Sequence, residues 1–462
     1  MQSEAEYRSF ERAPWRGRQD RGFLFNINLV FISQIAIYGL AFGLRVILAR
    51  GLGDEGLGTY SLFFLAVLVA GGIANLGVGL GNIYFLNKGA YSYTELLSGS
   101  LFVLAVTSVL AWVLLIAYGL IAGDELFVSG RSFWLYTAAL PAVVAYVLLT
   151  SLLHGSSRFL ALSIVAVSQG LAGLLMAGGL YVAGALDVFG ALAAWVGSFA
   201  LADVLALALV GVRNVQMRGL LRPHWRVLRE QVRFGAQGQI ANLAQLFNYR
   251  LDQFLVAAFV SRAGVGHYSV AVGLGESVWW ISSAVAMVLL PGLTQMDRQR
   301  AEEMTPLVCR NTLLVSIGAS AVLMAVSPVL IRVLFGGEFS AATTPLFLLM
   351  PGIIAASATR VLGSYLFSQG RIIYNTYATF IALALTIGLD LVLIPWLEVP
   401  GAAIASSVAY GASLVATLYW YRRTSGRGIW EALVFRPSDR RFYAELLQRL
   451  RSRGVPAEKK ST

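Results

Sequence analysis

The chain has 462 residues, of which 57% are hydrophobic and 13% charged, with a mean hydropathy of +0.70. Soluble globular domains carry about 25% charged residues, so the composition excludes a soluble protein and points to one that crosses a membrane many times. A formal charge of +11 would suit a nucleic-acid partner, but the basic residues gather between long apolar runs, which argues against one.

The chain opens on a polar, basic tail, residues 1–23, followed by an apolar run too long for a signal peptide. Runs of about 20 apolar residues cross a hydrocarbon core. On that basis spans 1–6 are expected at 24–49, 59–86, 94–121, 131–154, 159–184 and 188–212. Spans 7–12 are expected at 234–260, 265–294, 306–335, 343–368, 371–396 and 400–422. The expected organisation is therefore an N-lobe at 24–212, a basic linker at 213–233, a C-lobe at 234–423 and a C-tail at 424–462. Within that tail, Phe442, Leu446 and Leu450 recur every four residues among arginines. That pattern fits an amphipathic helix on the membrane face, or a solvated tail with chance periodicity.

With twelve spans both termini share a side. The segments on that side hold 28 Lys and Arg, against four on the other (Arg50, Arg131, Arg262 and Arg332). By the positive-inside rule both termini are cytoplasmic, and the membrane is expected to be the inner one. The basic charge then reads as topology and contact with membrane lipid. Cys309 is the single cysteine, which excludes an internal disulfide, and His154, His224 and His267 lack ligand spacing. No metal or cofactor is expected.

Span 2 opens with G-x-G-x-Y-S at Gly56, Gly58, Tyr60 and Ser61; span 8 opens with the same pattern at Gly264, Gly266, Tyr268 and Ser269. Spans 6 and 12 open on "DVFGALAAW" and "EVPGAAIAS", and spans 4 and 10 contain Pro141 and Pro351. Three matches at nearly one offset predict two six-helix repeats. Because six is even, the repeats would be parallel, related by an axis along the membrane normal. Pro141 and Pro351 are then hinge candidates, because a proline frees a carbonyl that something polar must satisfy. Ordinary kinks used for packing are the alternative.

Charges within membrane spans are costly and normally face a cavity or a partner. Seven fall in the expected spans: Arg45, Asp203, Arg250, Asp252, Glu276, Arg360 and Asp390. Helical phase puts Arg45 on one face with Gln34 and Tyr38, and it puts Gln245, Asn248 and Asp252 on one polar stripe. Arg250 points about 200° away from Asp252, so the two cannot both face one cavity. Glu276 shares a face with Ser269, Trp280 and Ser283, and Arg360 shares one with Ser357 and Ser364; both faces look wet. Asp203, among Ala, Val and Leu, reads as structural. Two readings fit Arg45 and Arg250: lining an anion-attracting cavity between the lobes, or snorkelling or pairing for packing alone.

Four stretches carry a resemblance: "LARGLGDEGLGTYS" (48–61), "NYRLDQFLVAAFVSRAGVGHYSVA" (248–271), "SPVLIRVLFGGEFSAATTPLFLLMPG" (327–352) and "IPWLEVPGAAIASSV" (394–408). They are similar to bacterial and archaeal Wzx-type polysaccharide flippases, of a superfamily that includes MATE exporters and lipid II flippases. The resemblance implies a V-shaped, all-α bundle of about twelve spans that alternates between inward and outward openings. Its cargo would be an oligosaccharide linked to a polyprenyl diphosphate, supplied by glycosyltransferases or used by a polymerase of the same pathway. Family cavities are cationic. That carries over to Arg45, Arg250 and Arg360, with Glu276 as the acidic residue of span 8, and Gln34, Tyr38, Gln245, Asn248, Asn242, Trp279 and Trp280 as sugar partners. Arginine suits a diphosphate through its forked geometry. Asp252, Asp390 and Glu276 are candidates for ion coupling. A MATE-like exporter of small molecules is the alternative, although Arg45 replaces the acidic residue such exporters carry in span 1. Short outer loops without paired carboxylates, and no P-loop, argue against an enzyme.

Overall fold

The computed structural model describes residues 18–122, 130–210 and 224–434, with 18–28, 118–122 and 130–132 as backbone alone. The candidate tail helix at 438–453, residues 1–17 of the N-tail and most of the 213–233 linker lie outside the described residues. Those described form an all-α architecture of thirteen α-helices and one 3₁₀ turn, with no strand among them. In chain order they are α1 (Arg18–Ala74), α2 (Val78–Asn87), α3 (Tyr93–Ala122), α4 (Gly130–Gly155), α5 (Phe159–Val182), α6 (Val188–Val210) and α7 (Trp225–Phe259). There follow α8 (Arg262–Gln295), α9 (Arg298–Leu334), the 3₁₀ turn Gly337–Ala342, α10 (Thr343–Ser368), α11 (Ile372–Leu397), α12 (Val399–Ser425) and α13 (Ile429–Leu433).

Ten helices among the described residues are long and apolar enough to cross a membrane. The twelve expected spans map onto them with two differences, each with a physical reason. Span 1 and most of span 2 run together in α1, which changes direction at Gly53 (φ 70°) rather than breaking into a loop, and span 2 then ends in α2 after a turn at residues 75–77; the left-handed φ is open to glycine without strain. Span 7 lies in α7, whose many amides and charges, from Gln237 to Gln253, keep it below the apolar threshold.

The chain divides into two compact units. The first holds residues 1–47 and 70–239, the second 48–69 and 240–462. In the first, small residues let helices approach closely, as in other membrane bundles. Gly170, Gly173 and Gly178 of α5 leave room for Leu40, Leu44 and Ile47 of α1. A polar hub sits at buried Asn82 of α2. Its Nδ2 donates to Ser100 Oγ of α3 and to Ser151 Oγ of α4, both at 2.9 Å, and its Oδ1 accepts from Gln231 Nε2 of α7 at 2.6 Å. Every polar atom of the Asn82 amide is thereby engaged, the condition under which a buried amide is tolerated. Outside the spans, the Tyr91 phenol donates to the Glu230 carboxylate, which holds Glu230 below the usual carboxylate range and pushes Tyr91 above its ordinary value.

In the second unit α10 is the central helix, packed on α8, α9 and α12. Pro351 of α10 interrupts the hydrogen-bond ladder, and Ser407 of α12 fills the gap. The Ser407 hydroxyl accepts from the Gly352 N–H at 3.3 Å and donates to the Leu348 carbonyl. The backbone groups loosened near the proline are therefore satisfied by a neighbouring helix, one of the known causes of a tolerated helix break. Pro141 lies inside α4 of the first unit.

Segment 48–69 of α1 packs on α8 through the repeated motif. A Cβ on Gly58 would strike the Arg262 carbonyl oxygen, and a Cβ on Gly266 would strike the Asp54 carbonyl oxygen. The contact is reciprocal: 58 and 266, like 54 and 262, are separated by 208 positions. Around it, Asp54 Oδ2 lies 3.0 Å from His267 Nε2. Arg50 donates from Nε to the Leu334 carbonyl at 2.9 Å, and from a terminal nitrogen to the Val333 carbonyl. These are end carbonyls of α9, which lack partners inside their own helix.

Candidate functional site

The site is built mainly on α7, α10, α11 and α12, by residues that all belong to the second unit. α7 contributes the polar stripe expected from helical phase: Gln245 and Asn248 line a cavity of about 270 Å³, with Tyr249 beside them. α11 answers through residues about two turns apart. Thr379 Oγ1 donates to Gln245 Oε1 at 3.0 Å, and Thr386 Oγ1 donates to Asn248 Oδ1 at 3.0 Å. Asn375 of α11, Thr359, Arg360 and Ser364 of α10, and Tyr410, Ser413 and Thr417 of α12 complete the polar wall. Leu290, Ala356, Phe367 and Ala378 supply the apolar one.

Arg360 is half-buried at this cavity. Its guanidinium lies over the Trp279 ring at 4.6 Å from the centroid and donates to Ser283 Oγ, while its Nε is buried without a hydrogen-bond partner among the described residues. No salt bridge to it is present among them either. Trp279 also belongs to an aromatic cluster, with centroids 4.6 Å from Tyr249 and 5.7 Å from Tyr410.

The remaining charges are arranged differently. Arg250 pairs with Glu276 of α8 at 2.8 Å, with side chains 22% and 20% exposed. Glu276 is thus the counter-ion of Arg250. Asp252 is buried and does not line the cavity: its Oδ2 accepts from Tyr268 Oη at 2.5 Å and from Ser406 Oγ at 3.1 Å, and its Oδ1 accepts from the Gln253 N–H at 2.8 Å. Tyr268 is the tyrosine of the second G-x-G-x-Y-S copy, so that motif both places a close helix contact and holds a carboxylate. Asp390 is fully buried on α11, and neither carboxylate oxygen has a hydrogen-bond partner among the described residues.

Of the residues singled out from the sequence, Gln245, Asn248 and Arg360 come together at the cavity. Gln34, Tyr38 and Arg45 lie half-buried on α1 in the first unit. Ser357, expected on a wet face, is fully buried and donates to the Ile353 carbonyl, whereas Ser364 of the same face does line the cavity. Asp203 has a buried Oδ1 without a partner among the described residues in α6. Sequence reasoning missed Thr379, Asn375, Tyr410, Ser413 and Thr417. The signal available for some of them was a polar stripe at helical spacing, Asn375, Thr379 and Thr386, inside an otherwise apolar span.

Comparison with known proteins fits this architecture. The structure aligns with an inward-facing multidrug resistance MATE transporter of the MOP superfamily at a TM-score of 0.67 and 15% identity, covering 84% of this chain and 94% of that one. It aligns with the lipid II flippase MurJ in an inward closed conformation at 0.71 and 12% identity, covering 94% of each. A MOP transporter from Pyrococcus furiosus, described as having a binding pocket of reversed polarity, aligns at 0.58 and 13% identity over 89% of this chain and 97% of that one. The fold is therefore that of the MOP-superfamily transporters.

Residues 133–344 match the family model described as "Polysaccharide biosynthesis protein". A 219-residue stretch is 23% identical to the "Probable low-salt glycan biosynthesis flippase Agl15" of Haloferax volcanii, covering 46% of each chain. The match spans about half the length of that relative. The resemblance to polysaccharide flippases drawn from the motifs is borne out.

Proposed function

We propose that this protein moves an oligosaccharide linked to a polyprenyl diphosphate from the inner to the outer membrane leaflet by alternating access. The observation that carries the reading is Arg360, a half-buried arginine inside a membrane helix with no carboxylate to balance it among the described residues. Such a charge is retained where it meets a ligand or a pathway, and a guanidinium fits a phosphate with paired N–H donors. The family match and the glycan flippase relative support the same cargo class. Arg45, Gln34 and Tyr38 are proposed as further cargo contacts from the first unit. Arg250 is held by Glu276 and is proposed to set the local field rather than to grip the diphosphate.

The exporter reading is weaker at this site, because a cationic substrate needs an accessible carboxylate. Asp252 is occupied by Tyr268 and Ser406, and Glu276 by Arg250. Asp390 is the strongest candidate for ion coupling, since its buried oxygens lack donors among the described residues and a proton or a small cation would satisfy them. The expected organisation also remains a proposal: two parallel six-helix repeats with cytoplasmic termini in the inner membrane, hinges at Pro141 and Pro351, no cofactor, no catalytic step, and glycosyltransferases or a polymerase as pathway partners.

The test is complementation of a strain that lacks its polysaccharide flippase, read as surface glycan. Restored glycan is the expected result. Export of cationic dyes with no effect on surface glycan would refute the proposal and favour the exporter.

A further inference from the structure

Arg360 accounts for one edge of the cavity, and the rest of its wall has a chemistry that a phosphate alone does not require. The volume of about 270 Å³ lies just below the range of small-ligand sites, roughly 300–1,000 Å³. That is room for one sugar ring and not for a chain.

Three hydroxyls of the wall are already committed as donors to their own helices. Thr359 donates to the Ala355 carbonyl, Ser364 to the Arg360 carbonyl and Thr417 to the Ser413 carbonyl. A serine or threonine hydroxyl has a single proton to give and two lone pairs, so these three groups remain acceptors for incoming O–H donors. Gln245 is the complement: the Thr379 hydroxyl shares its one proton between the Gln245 carbonyl oxygen at 3.0 Å and the Asn375 backbone carbonyl at 3.1 Å, so the Gln245 NH₂ is the part of the amide suited to a ligand oxygen. Asn375 likewise donates to the Gly363 carbonyl at 3.0 Å through Nδ2, which leaves its carbonyl oxygen as an acceptor. A ligand that meets this wall must therefore both donate and accept hydrogen bonds at several points while presenting C–H faces to Tyr249, Tyr410 and Phe367. A pyranose ring does this, because its hydroxyls lie around the rim and its C–H bonds on the faces.

Resting on the flippase reading, we infer that this cavity is a subsite for one glycosyl phosphate unit of the cargo. The ring sits between α7, α10, α11 and α12, and its phosphate faces Arg360. The site therefore selects the glycan by its first sugar as well as by its charge.

The test uses the full chain in lipid nanodiscs, titrated with hexose 1-phosphates, inorganic phosphate and the corresponding methyl glycosides, and followed by calorimetry. At least one hexose 1-phosphate should bind tenfold or more tightly than inorganic phosphate and than its own methyl glycoside. Ser413→Phe, which fills the cavity, should erase that preference while inorganic phosphate binds as before. If this variant does not reach the membrane, the double variant Gln245→Leu, Thr417→Val removes the polar complement at nearly constant volume and carries the same expectation. Inorganic phosphate binding as tightly as every sugar phosphate would overturn the inference.

Complementation separates the two levels. Wild-type glycan transport together with full transport by Ser413→Phe sinks the subsite alone, whereas wild-type protein that moves no lipid-linked glycan sinks the flippase reading. Soluble hexose 1-phosphate taken up by vesicles, with no lipid-linked glycan flipped, would show a soluble cargo and overturn both.

Discussion

Two intramembrane arginines of the second unit sit in opposite circumstances, and single substitutions should separate them. Removing one member of a buried ion pair leaves the other uncompensated, at a cost of about 3–5 kcal/mol. Glu276→Gln and Arg250→Ala should therefore lower the amount of protein in membranes, and the double variant Arg250→Ala, Glu276→Ala should recover much of it. Arg360→Ala removes a charge that has no such partner among the described residues, so abundance should hold while surface glycan is lost. Arg360→Lys should recover transport only in part, because an ammonium loses the guanidinium fork. Immunoblots of membrane fractions beside glycan assays read both quantities, and scarce Arg360→Ala protein would point to a packing role. The sequence made part of this legible: helical phase separates Arg250 from Asp252, and the two side chains do have different partners. It could not show that Glu276, 26 residues on, meets Arg250, because that depends on how α8 packs on α7.

At the scale of the helix, Pro351 was readable and its consequence was not. A proline announces a gap in the ladder, but which side chain fills the gap depends on the register of α12 against α10. Ser407→Ala would leave the Gly352 N–H and the Leu348 carbonyl without the hydroxyl that bridges them. Buried unsatisfied groups cost about 1–3 kcal/mol each, so the thermal midpoint in detergent should fall clearly below wild type. An unchanged midpoint would mean that water replaces the hydroxyl. Span 7 shows the reverse case. Its polar residues lower its hydropathy, yet helical phase alone sets Gln245 and Asn248 on one stripe, and that stripe lines the cavity.

For the whole molecule, hydropathy was enough to establish a many-spanning helical protein, since membrane helices must satisfy their backbone within themselves. Charge bias goes further and predicts an orientation, with both termini on the cytoplasmic side. A periplasm-dependent reporter fused after residue 427 should be silent, and one inserted within 122–130 should be active. The reverse result would invert the topology. The junction of spans 1 and 2 reads as a loop because "GLGDEGLGT" is polar and glycine-rich, the ordinary signature of a turn. In α1 those glycines serve a bend at Gly53 and a helix contact at Gly58.

That contact carries a historical consequence. The two copies of G-x-G-x-Y-S meet each other, each glycine seated on a carbonyl in the other copy's segment. This is the geometry of an isologous patch, in which one surface binds a second copy of itself about a two-fold axis. A gene duplication that fused two identical subunits would leave such a mark, with the self-complementary patch written twice in one chain. The flanking positions are not symmetric: Asp54 faces His267, while their counterparts at the same offset are Arg262 and Thr59. The two glycine contacts themselves are reciprocal. Gly58→Ala and Gly266→Ala should therefore destabilise the protein by similar amounts. Because both act on one contact, the double variant should cost clearly less than the two losses added together.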